Sequence, residues 1–200
     1  MATLRMFTAA AALFTGIVLA ACNRGGDAGN GARSPERFGL GRPATPQETA
    51  VLDIAIGPEG AGLPAGSGSA ADGAKIFQQK CVKCHGDHGQ GMPPAYPALI
   101  GRDPKGEGFV FAADFTLVRT IGNYWPTATT VFDYVRRAMP FTQPGSLTSD
   151  ETYAITAYLL AANKVIPDGA VLDAAALTKV KMPYADRFVP DDRRGGATVR

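Results

Sequence analysis

Five consecutive residues, Cys81-Val82-Lys83-Cys84-His85, constrain this chain more than any other feature. The chain holds 3 cysteines and 2 histidines in 200 residues, and the stretch "CVKCHGDHGQGM" (81–92) takes two of each, with Met92 beside them. The preceding "AADGAKIFQQKCVKC" predicts a helix over 70–84, with Ala74, Phe77, Cys81 and Cys84 on one face. Cysteines at i and i+3 project from the same side of a helix, so both sulfurs reach one flat partner. The next residue, His85, can then turn its imidazole under the centre of that partner. C-x-x-C-H is the attachment signature of a c-type haem. In this reading Cys81 and Cys84 become thioether tethers, and His85 alone coordinates iron on this face.

Two other chemistries use the same residues. Cys81, Cys84, His85 and His88 are four possible zinc ligands, but structural zinc normally joins two separated ligand pairs. Four ligands within eight residues staple nothing. A redox dithiol normally follows a strand at the start of a helix, whereas these cysteines end one.

The opposite face of the iron needs a partner or stays open. His88 and Met92 follow His85 by three and seven residues and cannot cross to it. Met139 and Met182 remain, each in a Met-Pro pair. Met139 is assigned, because it lies between the amphipathic helix "TTVFDYVRRA" (129–138) and the clearest helix, "TSDETYAITAYLLAAN" (148–163). A loop pinned at both ends holds a ligand rigidly. Met182 or an open iron is the alternative. Imidazole and thioether ligation raises the reduction potential and fills both axial positions. Arg119, Tyr124, Trp125, Arg136 and Arg137 lie near this segment; solvated faces and core packing account for them as well as haem propionates do. Lys75, Lys80 and Lys83 could form a basic docking rim, but a solvated helix face explains them equally.

Residues 1–21 read as an export signal, with a short basic start and an apolar run of 15 residues. "LAAC" (19–22) has the form of a bacterial lipobox, which makes Cys22 a lipidated mature N-terminus and places the protein in the periplasm on a membrane anchor. Residues 22–37 form a polar, Gly-rich tether. Residues 38–68 read as an extended Gly/Pro-rich arm in which Val51, Leu52, Ile54 and Ile56 seek a surface. The principal domain is 69–164, and 165–200 is a tail with a last helical turn at 173–179. A further short helix is expected over 113–121. Glu151, three residues after Thr148, predicts a capping box, and Thr129 or Thr130 a cap for the helix before it. The fold class is all-α, with three to five helices around one covalently bound haem. A formal charge of +2 gives no sign of a nucleic-acid binder.

The core, about 70–163, resembles class I cytochrome c. The strings "GLPAGSGSAADGAKIF", "RTIGNYWPTATTVFDYVRRAMPF", "PGSLTSDETYAITAYLLAAN" and "LTKVKMPYADRF", with the "FGLGRPATPQE" arm, resemble the cytochrome c subunit of sulfane dehydrogenase. That resemblance implies a sulfite-oxidase-type molybdenum subunit as electron donor, a downstream cytochrome or oxidase as acceptor, and a non-catalytic, electron-transferring role. It also implies that the Pro97 carbonyl, within "YPALIG", accepts from the free ring nitrogen of His85. Family members can be longer and carry a second haem domain, whereas this chain has one C-x-x-C-H. The competing readings are a free-standing lipid-anchored carrier for another dehydrogenase or terminal oxidase, and an open-haem enzyme such as a peroxidase.

Overall fold

Hydroxyl caps start the long helices of this protein, and their order sets the architecture. The computed structural model describes residues 39–102 and 114–191. The export signal, the tether with Cys22 and the last nine residues lie outside the described residues. From Thr45 onward the chain forms one unit. Its elements are α1 (Pro46–Leu52), β1 (Ser67–Ser69), α2 (Ala70–Lys80), α3 (Val82–His85), α4 (Ile121–Tyr124), α5 (Ala128–Ala138), α6 (Ser149–Ala162), β2 (Val171–Asp173) and α7 (Ala174–Leu177), then a 3-10 turn at Ala185–Arg187.

Ser69 caps α2 by accepting from the Asp72 amide, and Thr148 and Glu151 form the capping box of α6. Thr127, rather than Thr129 or Thr130, caps α5. The helix expected over 113–121 lies elsewhere. The Asp114 carboxylate accepts from the Thr116 amide and hydroxyl, a local turn that competes with helix, and α4 begins only after Thr120. The helix expected over 70–84 is interrupted at Cys81, whose φ of −122° and ψ of −31° separate α2 from α3.

α6 is apolar on all sides and lies at the centre of the core. Its Tyr153 ring meets Phe132 of α5 at 4.5 Å, and its Tyr158 meets Phe77 of α2 at 5.0 Å. α2 crosses α6 at Gly73, where a Cβ would fall 2.8 Å from Tyr158 Cβ and nearer still to the Ala154 carbonyl. Lys80 and Glu151 join the same two helices by an ion pair of 2.6 Å.

Both segments flanking the haem-binding region pack on it. β1 pairs antiparallel with β2, Gly68 opposite Leu172. Leu172, Leu177 and Met182 are buried in the same core cluster as Phe77 and Tyr153. The segment 38–68 is not extended throughout. Thr45 and Glu48 form a capping box that starts α1, none of whose residues is buried. Beyond it Ile56 is buried, Tyr153 Oη donates to the Pro64 carbonyl at 2.9 Å, and the Ser67 amide donates to Asp150 at 2.8 Å. Among the described residues no helix is long and apolar enough to cross a membrane.

Candidate haem site

Cys81 sits where α2 ends, its amide donating to the Phe77 carbonyl at 2.8 Å. α3 then carries Cys84 and His85, whose amides both donate back to the Cys81 carbonyl, at 3.1 and 3.0 Å. This tight turn keeps the three residues together without any distant partner. Both cysteines are half-buried and free. Burial pushes the Cys81 thiol up to about 11, far from the range of a redox-active thiolate. Among the described residues no three His, Cys, Asp or Glu side chains converge as a metal cluster would require. His88 is exposed, with its amide donating to the Gln90 side chain. These described side chains thus do not converge as a crowded zinc site would require.

His85 lies between two rings, Phe77 at 6.5 Å and Tyr96 at 6.4 Å. Burial holds its pKa below the ordinary histidine value, which favours the neutral, ligating imidazole. Its Nδ1 is buried and has no hydrogen-bond partner among the described residues, so the bond expected to the Pro97 carbonyl is not formed in this structure. The chain nevertheless folds Pro97 back toward the histidine. Gly86, Gly89 and Gly91 all adopt positive φ, between 68° and 76°. The Gly91 amide donates to the His85 carbonyl at 2.8 Å, while a Cβ at Gly91 would fall 2.5 Å from Tyr96 O and 2.6 Å from the Pro97 carbonyl carbon. Only glycine allows this approach. Two half-buried cysteines a helical turn apart, a partly buried imidazole next to them and nearby aromatic rings fit a haem held by two thioethers and one imidazole.

On the other candidate side, Met139 ends α5, its amide donating to the Val135 carbonyl at 3.1 Å. It is half-buried. The loop behind it is tied by Gln143 N to Pro140 O at 2.8 Å and anchored by buried Leu147. Met182 is 5 % exposed and belongs to the protein core, so its side chain is committed to packing. Met92 is exposed in the turn that pairs it with Tyr96.

Most of the basic and aromatic residues nearby have structural partners. Arg137 pairs with Asp133, and Arg136 donates to the Ile54 carbonyl at 3.2 Å. Arg119 lies 5.0 Å over the Tyr124 ring. Trp125 Nε1 donates to Thr130 Oγ1 at 2.9 Å. Lys75 pairs with Asp72 at 2.8 Å and Lys80 with Glu151, which leaves little of the basic rim.

Two polar residues that sequence reasoning missed support the site from behind. Asn163 is buried at the end of α6: its Oδ1 accepts from the Gly101 amide at 2.9 Å, and its Nδ2 donates to the Leu99 and Leu159 carbonyls. It ties the segment following Pro97 to the central helix. Asp133, 8 % exposed, accepts from Arg137 and from the Ile56 amide. The Arg137 hydrogen bonds, aided by the Ile56 amide, hold its carboxyl below the usual range against the opposing effect of burial.

Comparison with known proteins agrees with this geometry. The cytochrome c family model matches residues 70–163. A chain in the crystal structure of the sulfane dehydrogenase SoxCD from Paracoccus pantotrophus is 44% identical, with a TM-score of 0.65, over 78% of this chain and 74% of that one. The chain belongs to the cytochrome c family. Its cofactor is covalently bound haem c, and its fold is that of class I cytochrome c. Two proteins named thiosulfate dehydrogenase are also similar. That of Stutzerimonas stutzeri is 25% identical over 125 residues, 60% of this chain and 36% of its own length. That of Psychrobacter arcticus is 29% identical over 92 residues, 44% of this chain and 24% of its own length. The chain thus spans about a third or less of these curated relatives.

Proposed function

We propose that this cytochrome accepts electrons one at a time from a sulfite-oxidase-type molybdenum subunit that oxidises a sulfur compound in the periplasm. It passes them to a downstream cytochrome or oxidase. The observation that carries this reading is the extent of the 44% identity to a SoxCD chain. It covers 78% of the protein, well beyond residues 70–163, so the likeness includes the flanking segments that a simple carrier does not need.

In this reading Cys81 and Cys84 would hold the haem through thioethers, and His85 and Met139 would supply the ligands to its iron. The haem supplies one-electron Fe(III)/Fe(II) cycling. The protein's own residues do the rest. Burial keeps His85 neutral, and the Pro97 carbonyl is the acceptor that would fix its tautomer. The pinned loop 139–148 presents the Met139 thioether, and the commitment of Met182 to the core removes its competitor. With both axial positions filled, electron transfer is favoured over oxygen or substrate chemistry. Lipidation at Cys22 after removal of residues 1–21 places the cytochrome at the membrane surface, supported by the "LAAC" sequence.

Two measurements test the proposal. The Met139→Ala protein should lose the red-edge Fe–S charge-transfer band of the oxidised state; persistence of the band would reject Met139. Co-expression with a sulfite-oxidase-type molybdenum protein of the same bacterium should yield a co-purifying pair whose haem is reduced on adding the sulfur substrate. A cytochrome that never co-purifies and is reduced equally by unrelated dehydrogenases would instead be a free-standing carrier.

A further inference from the structure

One stripe of α5 grips the backbone of the segment that precedes the haem domain. Thr129, Asp133 and Arg136 stand at i, i+4 and i+7, on one helix face. Thr129 Oγ1 donates to the Pro58 carbonyl at 2.7 Å, Asp133 Oδ1 accepts from the Ile56 amide at 2.9 Å, and Arg136 Nη1 donates to the Ile54 carbonyl at 3.2 Å. As α5 runs from 129 to 136, its partners run from 58 back to 54, so the two segments zip in opposite directions. The buried side chain of Ile56 points the strap inward, and Asp133 is itself locked by Arg137. Three residues beyond Arg136 the helix ends at Met139, whose amide is still held by Val135.

We propose that Thr129, Asp133 and Arg136 are positioning residues for the distal haem ligand. By clamping α5 to the strap 54–58 they fix the helix end from which Met139 reaches the iron, and so set how readily Met139 gives way to an external ligand. The inference rests on Met139 being the axial ligand. The physical reason is leverage. Met139 is the first residue past the last helical turn, so its position follows any shift or fraying of α5. The loop after it constrains only its far side. The clamp restrains the helix itself, and through bonds to strap backbone, which strap substitutions other than proline at Ile56 leave available.

The test is titration of imidazole into the oxidised holo-protein, followed by loss of the Fe–S charge-transfer band and run well below the melting temperature. The reduction potential and thermal melting are recorded alongside. Thr129→Val, Asp133→Ala and Arg136→Met are compared with Leu172→Ala, which removes a buried side chain of β2 and controls for general loss of stability. Asp133→Ala should bind imidazole about tenfold more tightly, the factor expected when one hydrogen bond to a charged group no longer favours the closed state. Thr129→Val, which loses a neutral hydrogen bond, and Arg136→Met, which loses an exposed one of 3.2 Å, should shift by roughly two- to fourfold, and keep the proposal testable if Asp133→Ala does not fold. Leu172→Ala should melt lower yet titrate as the unaltered protein does. Clamp variants that melt lower but keep the original imidazole affinity and potential would overturn the proposal and leave the strap a purely structural element. Met139→Ala separates the two claims: if the band survives there, the ligand assignment fails. If the band is lost there but the clamp variants titrate normally, only the positioning role fails.

Discussion

Replacing Gly73 with alanine sets two effects of opposite sign against each other. Gly73 lies inside α2, where alanine is intrinsically favoured over glycine by about 1 kcal/mol. Taken alone, that effect stabilises the variant. The crossing with α6 acts the other way. The added Cβ would stand 2.8 Å from Tyr158 Cβ, and closer to the Ala154 carbonyl, against an ordinary contact that begins at 3.4 Å. Neither neighbour can turn aside, because one is backbone and the other is attached directly to it. The helices must part by roughly half an ångström for Tyr158 alone, and by more for Ala154, which opens the packing of Phe77 and Tyr158. Overpacking of this kind costs about 1–3 kcal/mol and sometimes more, and the backbone contact places Gly73 at the upper end. A net loss of about 2 kcal/mol follows, or a fall in Tm of roughly 4–8 °C for a domain of this size. Thermal melting of the holo-protein by circular dichroism measures it, with Gly169→Ala as the reference, since nothing lies within 4 Å of a Cβ there. A Gly73→Ala protein that melts as high as the original, or higher, would show that α2 and α6 do not meet as described.

Other perturbations have equally definite outcomes. Asn163→Ala removes three hydrogen bonds at once and strands the Gly101 amide, so chemical denaturation should show a loss of about 2–3 kcal/mol. Asp133→Asn should be less stable than the original protein at neutral pH, by about 1 kcal/mol. The native carboxyl of Asp133 has a lowered pKa, so its contribution is fully present above the unfolded carboxylate value near 3.9 and fades as pH falls through the lower folded value. The gap between the two proteins should therefore close only in strong acid, and a gap that persists there would point to packing rather than charge. The double variant Cys81→Ala, Cys84→Ala loses its covalent haem. A haem held there would add buried apolar surface that a small domain needs, so that variant should melt without a cooperative transition by calorimetry.

The parts of this protein that were legible in the sequence are those whose determinants sit close together along the chain. The attachment motif is local, since one turn from Cys81 to His85 sets the geometry of all three residues. The capping box of α6 is local as well, with Thr148 and Glu151 three residues apart. Local signals fail where they are redundant. Thr127, Thr129 and Thr130 are all able to cap α5, but the Thr129 hydroxyl is engaged by the Pro58 carbonyl, 71 residues away, and the Thr130 hydroxyl by the Trp125 ring nitrogen and the Thr127 carbonyl. The Met-Pro pairs at 139 and 182 are alike in sequence. What distinguishes them is tertiary: pairing of β2 with β1 draws the segment after Asn163 onto the core and buries Met182, while Met139 stays half-buried at a helix end. The clamp on α5 leaves still less trace. Its partners on the strap are amide and carbonyl groups that nearly any residue there would supply, proline at the amide position excepted, so only the helix side has a recognisable spacing. A charged Asp133 within a helix otherwise rich in buried residues was the one available sign; such a group requires partners, and Arg137 at i+4 supplies one while the Ile56 amide, distant in sequence, supplies another. The attachment motif can thus be read from five residues. The proposed distal ligand, in contrast, rests on an arm and a tail that look dispensable until their backbone contacts with the helices are known.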